Sequence, residues 1–208
     1  EMDVNRVAVI GHGEGAFFAS KLASDKKNIK SLILMSPMIS LGGETDIGFD
    51  NLNEMAKKLK WDDQYLKLAM KSRMETIETV KKTKGDRVSL LRTRCFLKKL
   101  REDMEANPID IIRKVEVPVL ILHGKEDEFV PAKAASTLDK ALEDSGNINH
   151  KLIYYGYLGH FFGKIVTDGL YRMHYSVDEG VLSTIKKWLD ETLPKIDLTL
   201  QTSYDILA

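Results

Sequence analysis

The chain reads as an α/β protein built on a parallel sheet with helices on both faces, and three observations carry that reading. An apolar β-branched run, a glycine-rich turn and a helix-like run follow one another in VAVIGHGEGAFFASKLA, residues 7–23. A second apolar run, SLILMSP at 31–37, completes a βαβ unit, and its unbroken apolar character is that of a parallel strand covered on both sides. The strand signal then returns in VPVLILHGKEDEFVP (117–131) and KLIYYGYLGHFF (151–162), each time running into a loop with polar side chains.

In chain order, residues 6–10 predict a buried strand, Glu14 to Ser24 a helix, 26–30 a polar loop and 31–37 the next strand. Gly42, Gly43 and Gly48 then interrupt regular structure. From there to about residue 107 the sequence is charged, with Leu52, Met55 and Leu59, then Tyr65, Leu66, Ala69 and Met70, then Ile77 and Val80 recurring at helical spacing. This predicts an amphipathic helical insertion whose apolar stripes lie on the domain, and whose place in the chain suits a lid over the glycine-rich turn. After the strand at 117, Val130 and Pro131 open a helix running from 132 to about 145, and Val177 to Leu193 forms a last one with Val181, Ile185, Trp188 and Leu189 on one face. The divisions expected are 1–43, a first part of the core; 44–107, the insertion; 108–194, a second part of the core; and 195–208, a tail in which Ile196, Leu198 and Leu200 alternate with polar residues as a short strand or a disordered end.

Composition narrows the function classes. With 208 residues, 43% of them apolar and 30% charged, the chain suits one well-buried core. Basic and acidic residues number 31 each, so no long-range field draws it to nucleic acid or to an anionic membrane. No apolar run approaches the ~20 residues of a bilayer span. Cys95 is the sole cysteine, which excludes an internal disulfide; it sits in a polar, helix-like segment and reads as structural. The chain starts at Glu1 and enters a core strand within a few residues, as the middle of a longer protein would.

The turn itself carries the chemistry. Gly11, His12, Gly13, Glu14 and Gly15 match the nucleophile elbow G-x-S-x-G at every position except the nucleophile's own, where Gly13 has no side chain to attack with. In such an elbow glycines flank the nucleophile because the turn is strained and a Cβ would collide with the strand or helix. Gly11, Gly13 and Ala16 also satisfy the dinucleotide fingerprint G-x-G-x-x-G/A. That fingerprint needs an acidic residue at the end of the next strand, and here the strand ends in Ser36 and Pro37. A dinucleotide-binding domain is therefore the weaker alternative.

These segments resemble the α/β-hydrolases of the serine esterase and acyl-peptidase type. GHGEGA resembles that family's GHSEGG, LILMSPMISLGG its following strand and loop, PVLILHGKEDEFVP its acid loop and GYLGHFF its histidine loop, a similarity running from residue 6 to about 193. The resemblance implies the second half of the family's sheet, strands five to eight, with a helical lid-like insertion. It places Asp127 as the acid of a catalytic triad, His160 as its base and Gly13 at the nucleophile position, in the order elbow, acid, histidine that this fold uses. It implies carboxylic esters or acyl-peptides as substrates, and neither cofactor nor metal. A serine hydroxyl attacks only when a histidine accepts its proton, and the histidine needs a carboxylate to fix its tautomer and stabilise its charge. Loops at the carboxyl ends of parallel strands are where three such groups meet. Of the remaining candidates, His12 and Glu14 shape the elbow, with the Glu14 backbone N–H as an oxyanion donor, while His123 reads as a structural residue at a strand end.

Two departures predict catalytic silence. Loss of a triad serine removes about a factor of 10⁶ in turnover. The other oxyanion donor of the family comes from an earlier loop, and losing one such donor costs about 10² to 10³ in rate. The chain is thus expected to be a fragment or nucleophile-less form of a serine hydrolase, or else a pseudoenzyme that keeps its pocket for binding ligand. The strand at 6–10 should form an exposed sheet edge, inviting a separate N-terminal chain or a second copy to pair there as a homodimer.

Overall fold

The structure, a computed structural model, describes residues 6–25, 28–39, 46–90, 93–163, 165–168, 171–174 and 176–195. Its centre is a parallel sheet of four strands, β1 (Val7–His12), β2 (Ile29–Met35), β5 (Val119–Gly124) and β6 (His150–Tyr155), lying side by side in that order. Helices α1 (Gly15–Asp25) and α6 (Ala132–Asp144) make the crossovers β1 to β2 and β5 to β6. Between β2 and β5 come α2 (Asp46–Lys58), α3 (Asp63–Lys82), the hairpin β3 (Arg87–Leu90) and β4 (Thr93–Phe96), α4 (Leu97–Glu105) and α5 (Pro108–Ile112). After β6 a second hairpin, β7 (Ile165–Asp168) and β8 (Tyr171–His174), precedes α7 (Glu179–Thr192).

The apolar strands supply both faces of the sheet at once. Leu32, Leu34, Val119 and Ile121 point to one side, where Ala16, Ala19 and Ala23 of α1 and Ala134, Ala135 and Leu138 of α6 cover them. Ile33, Leu120 and Leu122 point to the other, under Val181, Ile185, Trp188 and Leu189 of α7 together with Leu158 and Phe162. Because successive side chains alternate across a strand, an apolar residue at every position means burial on both faces, and all six residues of β5 are buried. Small alanines on α1 and α6 let those helices lie close to the sheet. On the opposite face α7 is fastened by hydrogen bonds as well, with Trp188 Nε1 and Thr192 Oγ1 donating to the buried Ser31 Oγ at 2.9 and 3.0 Å.

Several expectations need correction. β2 begins at Ile29, inside the interval read as a polar loop, because buried Ile29 pairs with Val7. Cys95 lies on β4, not in a helix: Arg87, Val88, Ser89 and Leu90 alternate polar with apolar, and the short period is masked by flanking lysines and arginines. The hairpin of Ile165–Asp168 and Tyr171–His174 was also missed, although Asp168-Gly169 is a hairpin-turn signal in the sequence, because its strands are only four residues long. Within the insertion Ile77 and Val80 are buried as the helical spacing requires, whereas Leu59 and Tyr65 are exposed. Gly42 and Gly43 and the tail residues Ile196, Leu198 and Leu200 lie outside the described residues.

Candidate active site

The end of β1 turns into α1 through Gly13 and Glu14. Gly11 is required there by packing: a Cβ on it would sit 2.5 Å from the Gly15 carbonyl oxygen and 2.6 Å from the Ala16 Cα, so strand and helix touch through its bare backbone. Gly13 adopts φ of +57°, a conformation that favours glycine and strains any side chain placed there. Gly15 is neither; a Cβ there meets nothing within 4 Å, which corrects the expectation that every glycine of the turn relieves a collision. The turn is held to the neighbouring strand, with the Gly13 N–H donating to the Met35 carbonyl at 2.9 Å and the Met38 N–H donating to the Gly13 carbonyl at 3.4 Å.

Two further loops converge on the same end of the sheet. The acid loop leaves β5 at Gly124, where a Cβ would come within 2.2 Å of the Leu158 carbonyl oxygen, so this glycine lets acid and histidine loops lie against each other. Lys125 and Glu126 then donate backbone N–H groups to the Tyr155 and Leu158 carbonyls at 2.8 and 3.1 Å. Asp127 is 1% exposed. Its Oδ1 accepts the backbone N–H groups of Phe129 and Val130 at 2.9 and 2.8 Å, and its Oδ2 accepts the His160 Nδ1–H at 2.8 Å. Burial pushes the Asp127 carboxyl up, but the hydrogen bond from His160 and those from the two backbone amides outweigh it and hold the group below the usual carboxylate range.

With Nδ1–H committed to Asp127, His160 presents Nε2 as an acceptor. A Cβ built on Gly13 would stand 3.4 Å from that Nε2 and 3.7 Å from Cε1, so the ring faces whatever residue 13 carries. Phe129 and Phe161 flank the imidazole, their ring centroids 5.3 and 5.0 Å from it. The arrangement sets an imidazole, with Nε2 open towards residue 13, between a buried carboxylate and an aromatic wall, a geometry suited to proton transfer, and residue 13 brings no hydroxyl to it.

The other expected residues fall into distinct places. His12 lies against the site, its Nε2–H donating to the His160 carbonyl at 2.9 Å and its ring centroid 4.5 Å from that of His160. Glu14 lies in the turn itself. His123 is wholly buried behind Asp127, donating Nε2–H to the Val130 carbonyl at 3.0 Å. Burial, ahead of the opposing pull of Asp127 and of that carbonyl, holds its imidazole below the usual histidine range. Cys95, on β4, belongs to the 46–105 segment. Among the described residues no group of three or more His, Cys, Asp and Glu is placed to hold a metal, and no helix is long and apolar enough to cross a membrane.

Two residues escape sequence reasoning. Ser36, fully buried with φ of +44°, donates its backbone N–H to the Leu122 carbonyl at 2.8 Å and its hydroxyl to the His160 carbonyl at 3.3 Å. Its sequence signal points the wrong way, since a residue before proline favours extended backbone. Lys58, at the end of α2, donates Nζ–H to the backbone carbonyls of Lys125, at 3.2 Å, and Asp127. Nothing in an exposed, lysine-rich helix end singles it out.

The family model described as serine aminopeptidase, S33, matches residues 2–162, which include the elbow, Asp127 and His160. A search of curated proteins returned no match. Among solved structures, the chain is similar to the Pyrococcus furiosus esterase Pf2001, at 15% identity and TM-score 0.52, over 91% of this chain and 55% of that one. It is also similar to Est1E from Butyrivibrio proteoclasticus with ferulic acid bound, at 22% identity and TM-score 0.53, over 89% of this chain and 59% of that one. The chain thus spans a little over half the length of these two esterases, and at such identities the likeness speaks for the fold. By its parallel sheet, the order of its three converging loops and the family model that covers most of its length, the chain belongs to the serine aminopeptidase S33 family of α/β-hydrolases.

Proposed function

We propose that this chain carries the acid–base half of a serine hydrolase site for carboxylic esters or acyl-peptides, with the nucleophile position occupied by Gly13, and that it does not turn over substrate as it stands. Asp127 is the acid, His160 the base, and the Glu14 backbone N–H an oxyanion donor. The observation that supports this is the alignment of Asp127 Oδ2, His160 Nδ1 and the face of Nε2 turned towards residue 13. In a member with serine at that place, Oγ would attack the acyl carbon while Nε2 took its proton. The same proton would then pass to the departing alcohol or amine, and water would repeat the cycle to free the acid. Here the cycle has no first step. The insertion at 44–107 acts as a lid between the core parts 1–43 and 108–194, a reading supported by the Lys58 contacts to the acid loop.

Short aryl esters should therefore be hydrolysed no faster by this chain than by its His160→Ala variant. Hydrolysis above that control would overturn the proposal. Gly13 itself favours a second reading, a pseudoenzyme that binds acyl compounds without cleaving them. That reading expects ligand affinity to survive changes at Asp127 and His160.

A further inference from the structure

Residues 35–38 bond the elbow, the histidine loop and the end of β5 from which the acid loop leaves. The Met35 carbonyl and the Met38 N–H bond Gly13 of the elbow, and the Ser36 N–H bonds the Leu122 carbonyl at the end of β5, next to the acid loop. The Ser36 hydroxyl reaches the histidine loop at the carbonyl of His160. That same carbonyl accepts the His12 Nε2–H from the elbow. It is therefore held from two sides, by donors on two different elements.

We propose that Ser36 and His12 are positioning residues for His160: together they clamp its backbone carbonyl, and so fix the ring between Asp127 and residue 13. The inference rests on His160 being the base of the site. Fixing the carbonyl fixes the Cα and the direction of the Cα–Cβ bond, which leaves the ring two torsions. The Asp127 bond at Nδ1 sets those. A base works only when held close to its productive geometry by supporting hydrogen bonds, and a histidine in a loop has few of its own. Ser36 adopts positive φ, which a serine holds only where its surroundings compel it. Glycine would suit that backbone better and could not donate to His160. The serine is thus explained by its hydroxyl rather than by its backbone.

This difference makes the test. In the parent chain the His160 Nδ1 proton, shared with Asp127, is followed by NMR and its exchange with solvent is measured. Ser36→Gly relieves the positive φ and should keep the melting midpoint near the parent's, yet accelerate exchange of that proton about fivefold, the weight of one net hydrogen bond. His12→Leu should act in the same direction. His12→Gln, whose amide N–H donates from a similar place, should restore the parent rate. Both variants are examined because either alone can decide if the other fails to fold. Unchanged exchange in a folded Ser36→Gly or His12→Leu protein would overturn the clamp and leave the hydrolase reading standing. Absence from the parent chain of any His160 proton shared with Asp127 would overturn both.

Discussion

His123, at the end of β5, and Asp127, in the loop that follows, are buried one behind the other, and both make the protein sensitive to acid. The buried His123 imidazole resists protonation in the folded state, so as pH falls below about 6.5 the unfolded chain takes up a proton that the folded one refuses. Stability present above that pH is lost as pH falls. Asp127, held below the usual carboxylate range, adds a second loss in the same direction below about pH 4. Melting temperature should fall from pH 7.5 to 5.5 in the parent chain. In His123→Gln, which keeps a donor towards Val130 but cannot titrate, most of that slope should vanish. An identical slope in the variant would assign the effect to other groups. The sequence shows these residues but not their partners. Asp127 and His160 were legible because each follows an apolar strand in the family's order, whereas Ser36 was not, since its role depends on a carbonyl 124 residues away.

At the scale of elements, the core strands and the longer helices were legible from sustained patterns, as in β5, where every residue before His123 is apolar, whereas the five-residue α5 was not read and Gly48, expected to interrupt regular structure, lies within α2. The hairpins β3–β4 and β7–β8 were not, since strands of four residues offer too little alternation to stand out against charged neighbours. Helix α2 presents the clearest consequence. Glu54, Met55 and Lys58 face Asp127, Phe129 and Pro131 across a narrow cleft, and the lysine's bonds to the loop carbonyls are what tie the helix end down. Replacing Lys58 by methionine should raise amide exchange in residues 52–58 roughly fivefold to thirtyfold, the range expected for losing one or two net hydrogen bonds. Exchange in β2 and β5 should stay as it was. If the helix exchanges at the parent rate, it is held by its apolar contacts and the lid reading loses its latch.

For the whole molecule the sheet order matters most. Strand β1 pairs with β2 on one side, and among the described residues no strand pairs with its other side. Ile10 is 50% exposed there, and Val7, Ala8 and Val9 are half-buried. An edge of this kind offers unpaired N–H and C=O groups beside apolar side chains, and it recruits another strand unless charge or a bulge prevents it. Among the described residues the expected edge at 6–10 is thus unpaired on its outer side. Light scattering over a dilution series should show association that Ile10→Lys abolishes. A parent chain that stays monomeric at every concentration, with the amides of 6–10 protected from exchange, would mean that the edge is satisfied internally.

On the proposed reading residue 13 stands where a hydroxyl would be activated by His160 and Asp127, and the Gly13→Ser variant supplies that hydroxyl. A fluorophosphonate reports nucleophile activation by covalent capture without requiring turnover. The variant should be labelled at residue 13, the parent chain should not, and adding His160→Ala to the variant should reduce labelling to the parent's level. Equal labelling with and without His160, or none in a folded Gly13→Ser protein, would contradict the account.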